Sequence, residues 1–211
     1  MKEYRYAIFD MDGTLLDSMP YWHNLGMNYL IKNGKSPESN LNDVIESMTM
    51  KESAEYFINH YGIDKSVEQV VTEVNSLIEE NYRSNIQLKG QAANYLSKLH
   101  DRGVKMCIAT TTSEYLARIA CERTDILKYF SFILSSDEVG CGKNDPKIYH
   151  EAMKRLGAAA EQTVIYEDAV YAIRTVIDAG MNCIIVKDEA QGTIEQELID
   201  KSVEVITCYG R

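Results

Sequence analysis

The chain has 211 residues, 45% of them hydrophobic, which suits one medium-sized globular domain or a domain that carries a large insertion. Thirty-two acidic against 22 basic side chains give a formal net charge of -10 at pH 7. This charge repels the phosphate backbone of nucleic acids, so we expect no nucleic-acid partner. A small anionic ligand would need a local cation that reverses the field at its binding site.

The N-terminal sequence and the cysteines predict a cytoplasmic protein. The chain enters a strand-like run directly, without the basic segment and apolar core of a secretory signal, and no apolar stretch reaches membrane-spanning length. The five cysteines are odd in number and include no CxxC pair or zinc-site spacing. We therefore expect reduced thiols and no membrane association. A monomer or a weak homodimer is a separate expectation that does not follow from these features.

The first strand is predicted over residues 6–9, a short apolar run that ends at a polar turn. Between Ser18 and about Ile86 no comparable strand run follows. Apolar residues there recur at helical spacing, as they do at Ala54, Phe57, Ile58 and Tyr61. This segment is therefore predicted to be all-helical.

After Gly90 helices and strands alternate. The predicted elements are a helix ending near Gly103, the strand VKMCIAT, a helix opening with a capping box from Thr111 to Glu114, the strand FSFIL, a helix from Asp145 to Gly157, the strand TVIYE, a helix from Ala169 to Gly180, and the strand NCIIV. Val203 to Thr207 is expected as a final edge strand. Short apolar strands separated by helices are typical of a parallel, doubly wound α/β sheet.

The helical segment interrupts this α/β pattern immediately after its first strand, so it is predicted to be an insertion that covers the sheet. We expect an α/β core domain formed by residues 1–17 and 87–211, and a helical cap domain formed by residues 18–86.

Polar side chains follow several of the predicted strands. Asp10 and Asp12 follow the first strand, Thr110 ends the second, and Glu167 and Asp168 end the fourth. Ligands of open parallel sheets bind outside the carboxyl ends of the strands, so these side chains are expected to converge. Carboxylates that share one cleft need a cation or a shared proton, and hard oxygen ligands suit magnesium.

Two further features would favour an anion at this edge of the sheet. The helix start at Thr111 offers free backbone amides, and Lys143 offers an ammonium group. Taken singly, each residue has a structural explanation, because Asp10 could form a turn, Asp168 could cap a helix, and Lys143 could be a solvated loop lysine. Their joint placement after the strands of one alternating pattern favours a functional site.

Together, DMDGT at 10–14, Thr110 after VKMCIA, Lys143 in CGKNDP and YED at 166–168 resemble the four motifs of the haloacid dehalogenase superfamily, across nearly the whole chain. The helical insertion is similar to the smaller, α-helical cap of that superfamily. Within it, the chain resembles the branch of sugar-phosphate phosphatases and β-phosphoglucomutases. The resemblance implies a Rossmann-like core with strand order 5-4-1-2-3.

The resemblance also implies a role for each matching residue. Asp10 matches the nucleophile and Asp12 the general acid and base, Thr110 matches the phosphate-binding hydroxyl, and Lys143 matches the cation between phosphate and nucleophile. Thr111 joins the phosphate-binding candidates through its backbone amide at the predicted helix start. Mg²⁺ would be held by Asp10, Asp168, Glu167 and Asp12, the last through its backbone carbonyl. Asn144 and Ala169 replace a proline and a serine that are common in these motifs, and neither replacement removes a reacting group.

The expected function is hydrolysis of a small phosphorylated metabolite, such as a sugar phosphate, through an aspartyl-phosphate intermediate. The first alternative is β-phosphoglucomutase, whose cap holds the non-reacting phosphate with an arginine. The similar segment here, MTMKES, offers Lys51, which lacks the planar fork of arginine. The second alternative is a binding protein that keeps the fold without catalysis.

Overall fold

A computed structural model describes residues 3–209 and shows a six-stranded parallel sheet. The strands are β1 (Tyr6–Phe9), β2 (Lys105–Thr110), β3 (Phe130–Ser135), β4 (Thr163–Glu167), β5 (Asn182–Val186) and β6 (Glu204–Ile206). Their order is β3-β2-β1-β4-β5-β6, and every pair of neighbours is parallel. The predicted order 5-4-1-2-3 is contained in this sheet, and β6 confirms the expected edge strand.

Helices cover both faces of the sheet, which explains why the central strands are apolar without alternation. Ala7 and Phe9 of β1 point into one hydrophobic cluster, and Ile8 points into the other. The core helices are α6 (Ala92–Asp101), α7 (Glu114–Arg123), α8 (Ser136–Val139), α9 (Lys147–Leu156), α10 (Val170–Asp178) and α11 (Gln196–Lys201), with 3₁₀ turns at Leu127–Tyr129 and Ala160–Gln162.

The segment between β1 and α6 contains helices as its regular elements, as the sequence predicts. They are α1 (Met19–Trp22), α2 (Leu25–Lys32), α3 (Leu41–Ile45), α4 (Met50–Tyr61), α5 (Val67–Glu80) and a π-helix (Asn81–Asn85). Capping boxes start α4 at Thr49 and α5 at Ser66, and Gly62 in the left-handed conformation ends α4. We refer to these helices as the cap helices; the division into domains at residues 18 and 86 remains our proposal.

The cap helices and the sheet share one hydrophobic core. Phe9 of β1 and Tyr166 of β4 belong to the same cluster of buried residues as Tyr29 of α2, Phe57 of α4 and Val74 of α5. Continuous burial of this kind fixes the cap helices over one end of the sheet, where the polar strand ends lie.

The helix after β2 begins later than the sequence predicts. Ser113 is its N-cap and makes no side-chain capping bond, so the predicted capping box from Thr111 to Glu114 is wrong. The reason is a competing set of hydrogen bonds in the preceding loop. The amide of Thr112 donates to the hydroxyl of Thr110 (3.0 Å), and the hydroxyl of Thr112 donates to the side chain of Asp12 (2.7 Å).

All five cysteines are unpaired, as expected. Burial raises the pKa of the Cys121 thiol to about 12, so it stays protonated and serves as a packing group. Within residues 3–209, none of the helices has the length and apolar character needed to cross a bilayer.

Candidate active site

The structure brings the predicted acidic residues together at the carboxyl edge of the sheet. One carboxylate oxygen from each of Asp10, Glu167 and Asp168 lies within 4.8 Å of the others. Asp10 follows β1, while Glu167 ends the adjacent strand β4 and Asp168 follows it, so the parallel pairing of these strands sets the distance between them. All three side chains are buried, with at most 6% of each residue exposed.

Lys143 lies inside this cluster, with 2% of its surface exposed, so it is not a solvated loop lysine. Its Nζ donates to Asp10 Oδ1 (2.5 Å) and to Glu167 Oε1 (2.7 Å), and the hydroxyl of Tyr149 donates to the same Glu167 oxygen (2.8 Å). Burial alone would lower the pKa of Lys143, but the two carboxylates outweigh burial and raise it. Lys143 is therefore a fixed positive charge beside Asp10.

Asp168 is held by side chains rather than by the helix that follows it. Its Oδ1 accepts a hydrogen bond from Thr14 (2.9 Å) and its Oδ2 accepts one from the Gln191 amide (3.1 Å), while Ala169 is the N-cap of α10. Gly13 has a φ of +86°, and a Cβ there would lie 2.1 Å from Asp168 Oδ2. Glycine is required at this position both by the backbone conformation and by the close approach of the carboxylate.

Asp12 lies apart from the three clustered carboxylates and has its own hydrogen bonds. The hydroxyl of Tyr82 donates to Asp12 Oδ1 (2.6 Å), Thr112 donates to Oδ2, and Trp22 Nε1 donates to the Tyr82 oxygen (2.9 Å). Burial, with a smaller contribution from the charge of Asp10, raises the pKa of Asp12 although these hydrogen bonds oppose the shift. Asp12 is thus a carboxyl group that takes up a proton more readily than an exposed aspartate.

The charge and the donor atoms of the cluster fit a divalent cation. When all three carboxylates are ionised, they and the one ammonium leave two negative charges in a buried space. Glu167 Oε2 is buried and has no hydrogen-bond partner among the described residues. Burial, with a smaller contribution from the charge of Asp10, raises the pKa of Glu167 and of Asp168, so a further cation would favour their ionised forms. An all-oxygen donor set of this kind suits Mg²⁺.

The remaining predicted site residues are placed differently. Thr110 is buried at the end of β2, where its oxygen accepts from the Thr112 amide and its hydroxyl hydrogen stays available to an acceptor. Thr111 lines the cavity above the carboxylates, and Thr110 does not. Lys51 is exposed on α4 and does not line that cavity, although its neighbours Met50 and Ser53 do.

The cavity lies between the cap helices and the carboxyl edge of the sheet and has a volume of about 500 Å³. Its floor is formed by Asp10, Asp12, Lys143, Glu167 and Asp168. Its wall on the cap side is largely apolar and includes Trp22, Met48, Met50, Phe57 and Val74. A small organic molecule that enters this cavity therefore presents one end to the charged floor and the other to the cap helices.

Sequence reasoning missed several partners of the acidic residues. They are Thr14, Tyr82, Thr112, Tyr149 and Gln191. Thr14 could have been found, because it belongs to the DMDGT segment. The other four carry no local signal, since each is distant along the chain from the carboxylate that it contacts.

Comparison with known proteins gives a consistent picture. Residues 7–186 match the family model described as haloacid dehalogenase-like hydrolase. The chain is 26% identical to a phosphorylated carbohydrates phosphatase of Thermotoga maritima, covering 84% of this chain and 82% of that protein. It is 28% identical to hexitol phosphatase A of Escherichia coli, over 95% and 92% of the two chains. The crystal structure of CbbY from Rhodobacter sphaeroides in complex with phosphate shares the fold, with a TM-score of 0.84, 18% identity, and 99% and 96% of the two chains covered.

Proposed function

This chain belongs to the haloacid dehalogenase-like hydrolase family, and from that premise we propose that it is a magnesium-dependent phosphatase of small phosphorylated metabolites. Named relatives with this fold are phosphatases, which supports a phosphoric monoester hydrolase. The observation that carries the proposal is the buried group of Asp10, Lys143, Glu167 and Asp168, with Asp12 held separately beside it. The substrate is a sugar phosphate or a similar monoester, and the protein acts in the cytoplasm.

Asp10 is the proposed nucleophile. Lys143 holds its Oδ1, whereas Oδ2 has no partner among the described residues and is free to attack phosphorus. A bond forms between Oδ2 and phosphorus as the bond from phosphorus to the alcohol oxygen breaks. Water then attacks the aspartyl phosphate, which releases inorganic phosphate and restores Asp10, so two easier steps replace one difficult step.

Asp12 is the proposed general acid and base. Its raised pKa favours a carboxyl group that carries a proton when the substrate arrives. That proton passes to the alcohol oxygen as the first bond breaks, and the resulting carboxylate takes a proton from the attacking water in the second step. Tyr82 and Thr112 orient the Asp12 side chain for both transfers.

The metal would be held by Asp10, Glu167 and Asp168. Bound there, Mg²⁺ supplies positive charge that offsets the phosphate oxygens and the carboxylates. Lys143 supplies the remaining positive charge, and the backbone at Thr111, which lines the cavity, is the first proposed contact of the phosphate oxygens. The hydroxyl hydrogen of Thr110 is the second; because Thr110 does not line the cavity, this contact requires the phosphate to lie against the end of β2. These local cations would attract an anionic substrate to the site despite the net negative charge of the chain.

The β-phosphoglucomutase alternative gains no support from the cap helices. It required a cationic side chain in the MTMKES segment that holds a second phosphate, and Lys51 is exposed outside the cavity. A binding protein without catalysis is equally disfavoured, because Lys143 contacts the proposed nucleophile Asp10 and the proposed acid Asp12 lines the same cavity.

The test is phosphate release by the purified protein from a panel of sugar phosphates, glycerol 3-phosphate, phosphoglycolate, nucleotides and p-nitrophenyl phosphate, with Mg²⁺ or with EDTA. We expect release that needs Mg²⁺ and falls at least about 10³-fold in Asp10→Asn. The matched control is Asp101→Asn, an exposed position on α6, which should keep full activity.

Two results would contradict the proposal. Full activity of Asp10→Asn would remove the nucleophile from the mechanism. Absence of phosphate release from every ester, including the activated p-nitrophenyl ester, would exclude a phosphatase. The mutase and the non-catalytic binding protein would then be the remaining hypotheses. Formation of glucose 6-phosphate from β-glucose 1-phosphate would then identify the mutase.

A further inference from the structure

The two sides of the cavity differ in charge. On the floor, Lys143 is already paired with Asp10 and Glu167. Among the described residues that line the cavity, Lys143 is the only lysine and there is no arginine. Any further anionic group of a substrate would have to find its partner on the cap side.

The cap side offers such a group the wrong charge. Its ionisable lining residues are His23, Asp43 and Glu46, all of which are exposed at the mouth of the cavity. Asp43 on α3 and Glu46 at the C-cap of the same helix are three residues apart, so their side chains are neighbours. Partial burial and the charge of Asp43 raise the pKa of Glu46. A carboxylate or a second phosphate at this place would be repelled by two acidic side chains. His23 is the only basic side chain on this side of the lining in the part of the chain that the structure describes.

The cap side does suit an uncharged, hydroxylated molecule. Trp22, Met50 and Phe57 offer apolar surface, and Asn42 and Ser53 offer side-chain donors and acceptors for hydroxyl groups. Pockets of this composition orient a ligand through a few polar groups set in an apolar wall. The volume of about 500 Å³ leaves room for a small alcohol beside its phosphate.

We propose that the cavity selects phosphate monoesters of uncharged polyhydroxy alcohols and rejects esters whose alcohol part carries a carboxylate or a second phosphate. This inference rests on the proposed phosphatase function and narrows its substrate class. Asp43 and Glu46 are the residues that we hold responsible for the rejection, because among residues 3–209 no lysine or arginine that lines the cavity is paired with them.

The experiment uses pairs of substrates in which one member carries an additional anionic group. One pair is 2-hydroxyethyl phosphate and phosphoglycolate; the first carries a hydroxymethyl group where the second carries a carboxylate. The other pair is glucose 6-phosphate and glucose 1,6-bisphosphate. In each pair we expect kcat/KM for phosphate release to be at least about tenfold higher for the ester without the extra anion, since an unpaired charge in a partly buried site is unfavourable.

Variants test the origin of the discrimination. In Asp43→Asn combined with Glu46→Gln, the ratio of kcat/KM within each pair should fall severalfold towards one. The matched control is Glu55→Gln, an exposed carboxylate on α4 outside the cavity lining, which should leave the ratio unchanged.

The possible outcomes distinguish a failure of this substrate preference from a failure of the proposed phosphatase function. Phosphate release with an equal or higher kcat/KM for phosphoglycolate and the bisphosphate would overturn the inference and leave the phosphatase intact. An unchanged ratio in the double variant would overturn the role of Asp43 and Glu46. No release from any ester, p-nitrophenyl phosphate included, would overturn the phosphatase and the inference together.

Discussion

Removal of divalent metal should make the stability of this protein fall as the pH rises. Glu167 is fully buried, and burial raises its pKa from 4.5 to about 8, against the opposing effect of Lys143. Between these two pH values the folded chain holds a proton on Glu167 that the unfolded chain has lost. The stabilising contribution is therefore fully present below pH 4.5 and is lost as the pH rises towards 8.

The size of the effect follows from the width of that window. Each pH unit within it changes the free energy of unfolding by about 1.4 kcal/mol per proton. The loss between pH 4.5 and 8 is therefore roughly 3–5 kcal/mol, a large part of the stability of a typical domain. Asp168, whose pKa burial also raises, steepens the slope.

Urea denaturation followed by circular dichroism, with EDTA at pH 5.5, 6.5 and 7.5, measures this slope. Glu167→Gln should reduce the slope of the free energy of unfolding against pH by the amount that corresponds to about one proton. Glu161→Gln, at an exposed position, should leave the slope unchanged. At one fixed Mg²⁺ concentration, the gain in stability should be largest at pH 7.5, because the ligands must be deprotonated to bind the metal. A concentration 100 times the Kd at that pH should raise the free energy of unfolding by about 2.7 kcal/mol. A metal-free protein that becomes more stable from pH 5.5 to 7.5 would refute the reasoning.

Two further variants probe the supports of the acidic residues. Gly13→Ala should displace Asp168, weaken Mg²⁺ binding and lower activity at least about tenfold, because the added Cβ would lie 2.1 Å from Asp168 Oδ2. Titration with Mg²⁺ measures the loss of binding. Gly103→Ala is the control for backbone strain, since Gly103 also has a positive φ (+77°) but has no atom within 4 Å of the added Cβ. Tyr82→Phe should lower kcat/KM about tenfold for alkyl phosphates and less for p-nitrophenyl phosphate, since a good leaving group depends less on protonation by Asp12; an equal loss for both esters would contradict this role.

The sequence predicts the sheet and the convergence of acidic residues because both depend on local signals. Apolar runs such as residues 6–9 end at polar turns, and the parallel order of the strands brings Asp10 and Asp168 to one edge. Lys143 is predicted by its position before a helix, although nothing local indicates that it is fully buried.

The cap side of the site could not be predicted in the same way. A tyrosine in a helical pattern such as Tyr82 is indistinguishable from a core residue, and its contact with Asp12 spans 70 residues of chain. The rotation of α4 decides whether Lys51 or Met50 faces the cavity, and packing of Phe57 against the shared core sets that rotation. The late start of α7 arises from hydrogen bonds of Thr112 that no helix-start pattern contains.

The single core shared by the cap helices and the sheet constrains how such an enzyme acquires new specificity. Residues such as Tyr29 and Phe57 stabilise the whole molecule, and removing a buried aromatic side chain typically costs about 3–5 kcal/mol. Side chains at the mouth of the cavity, such as Asp43 and Glu46, are exposed and contribute little to folding. Evolution and protein engineering can therefore vary the mouth freely, whereas exchange of the cap helices as a unit requires a repacked core.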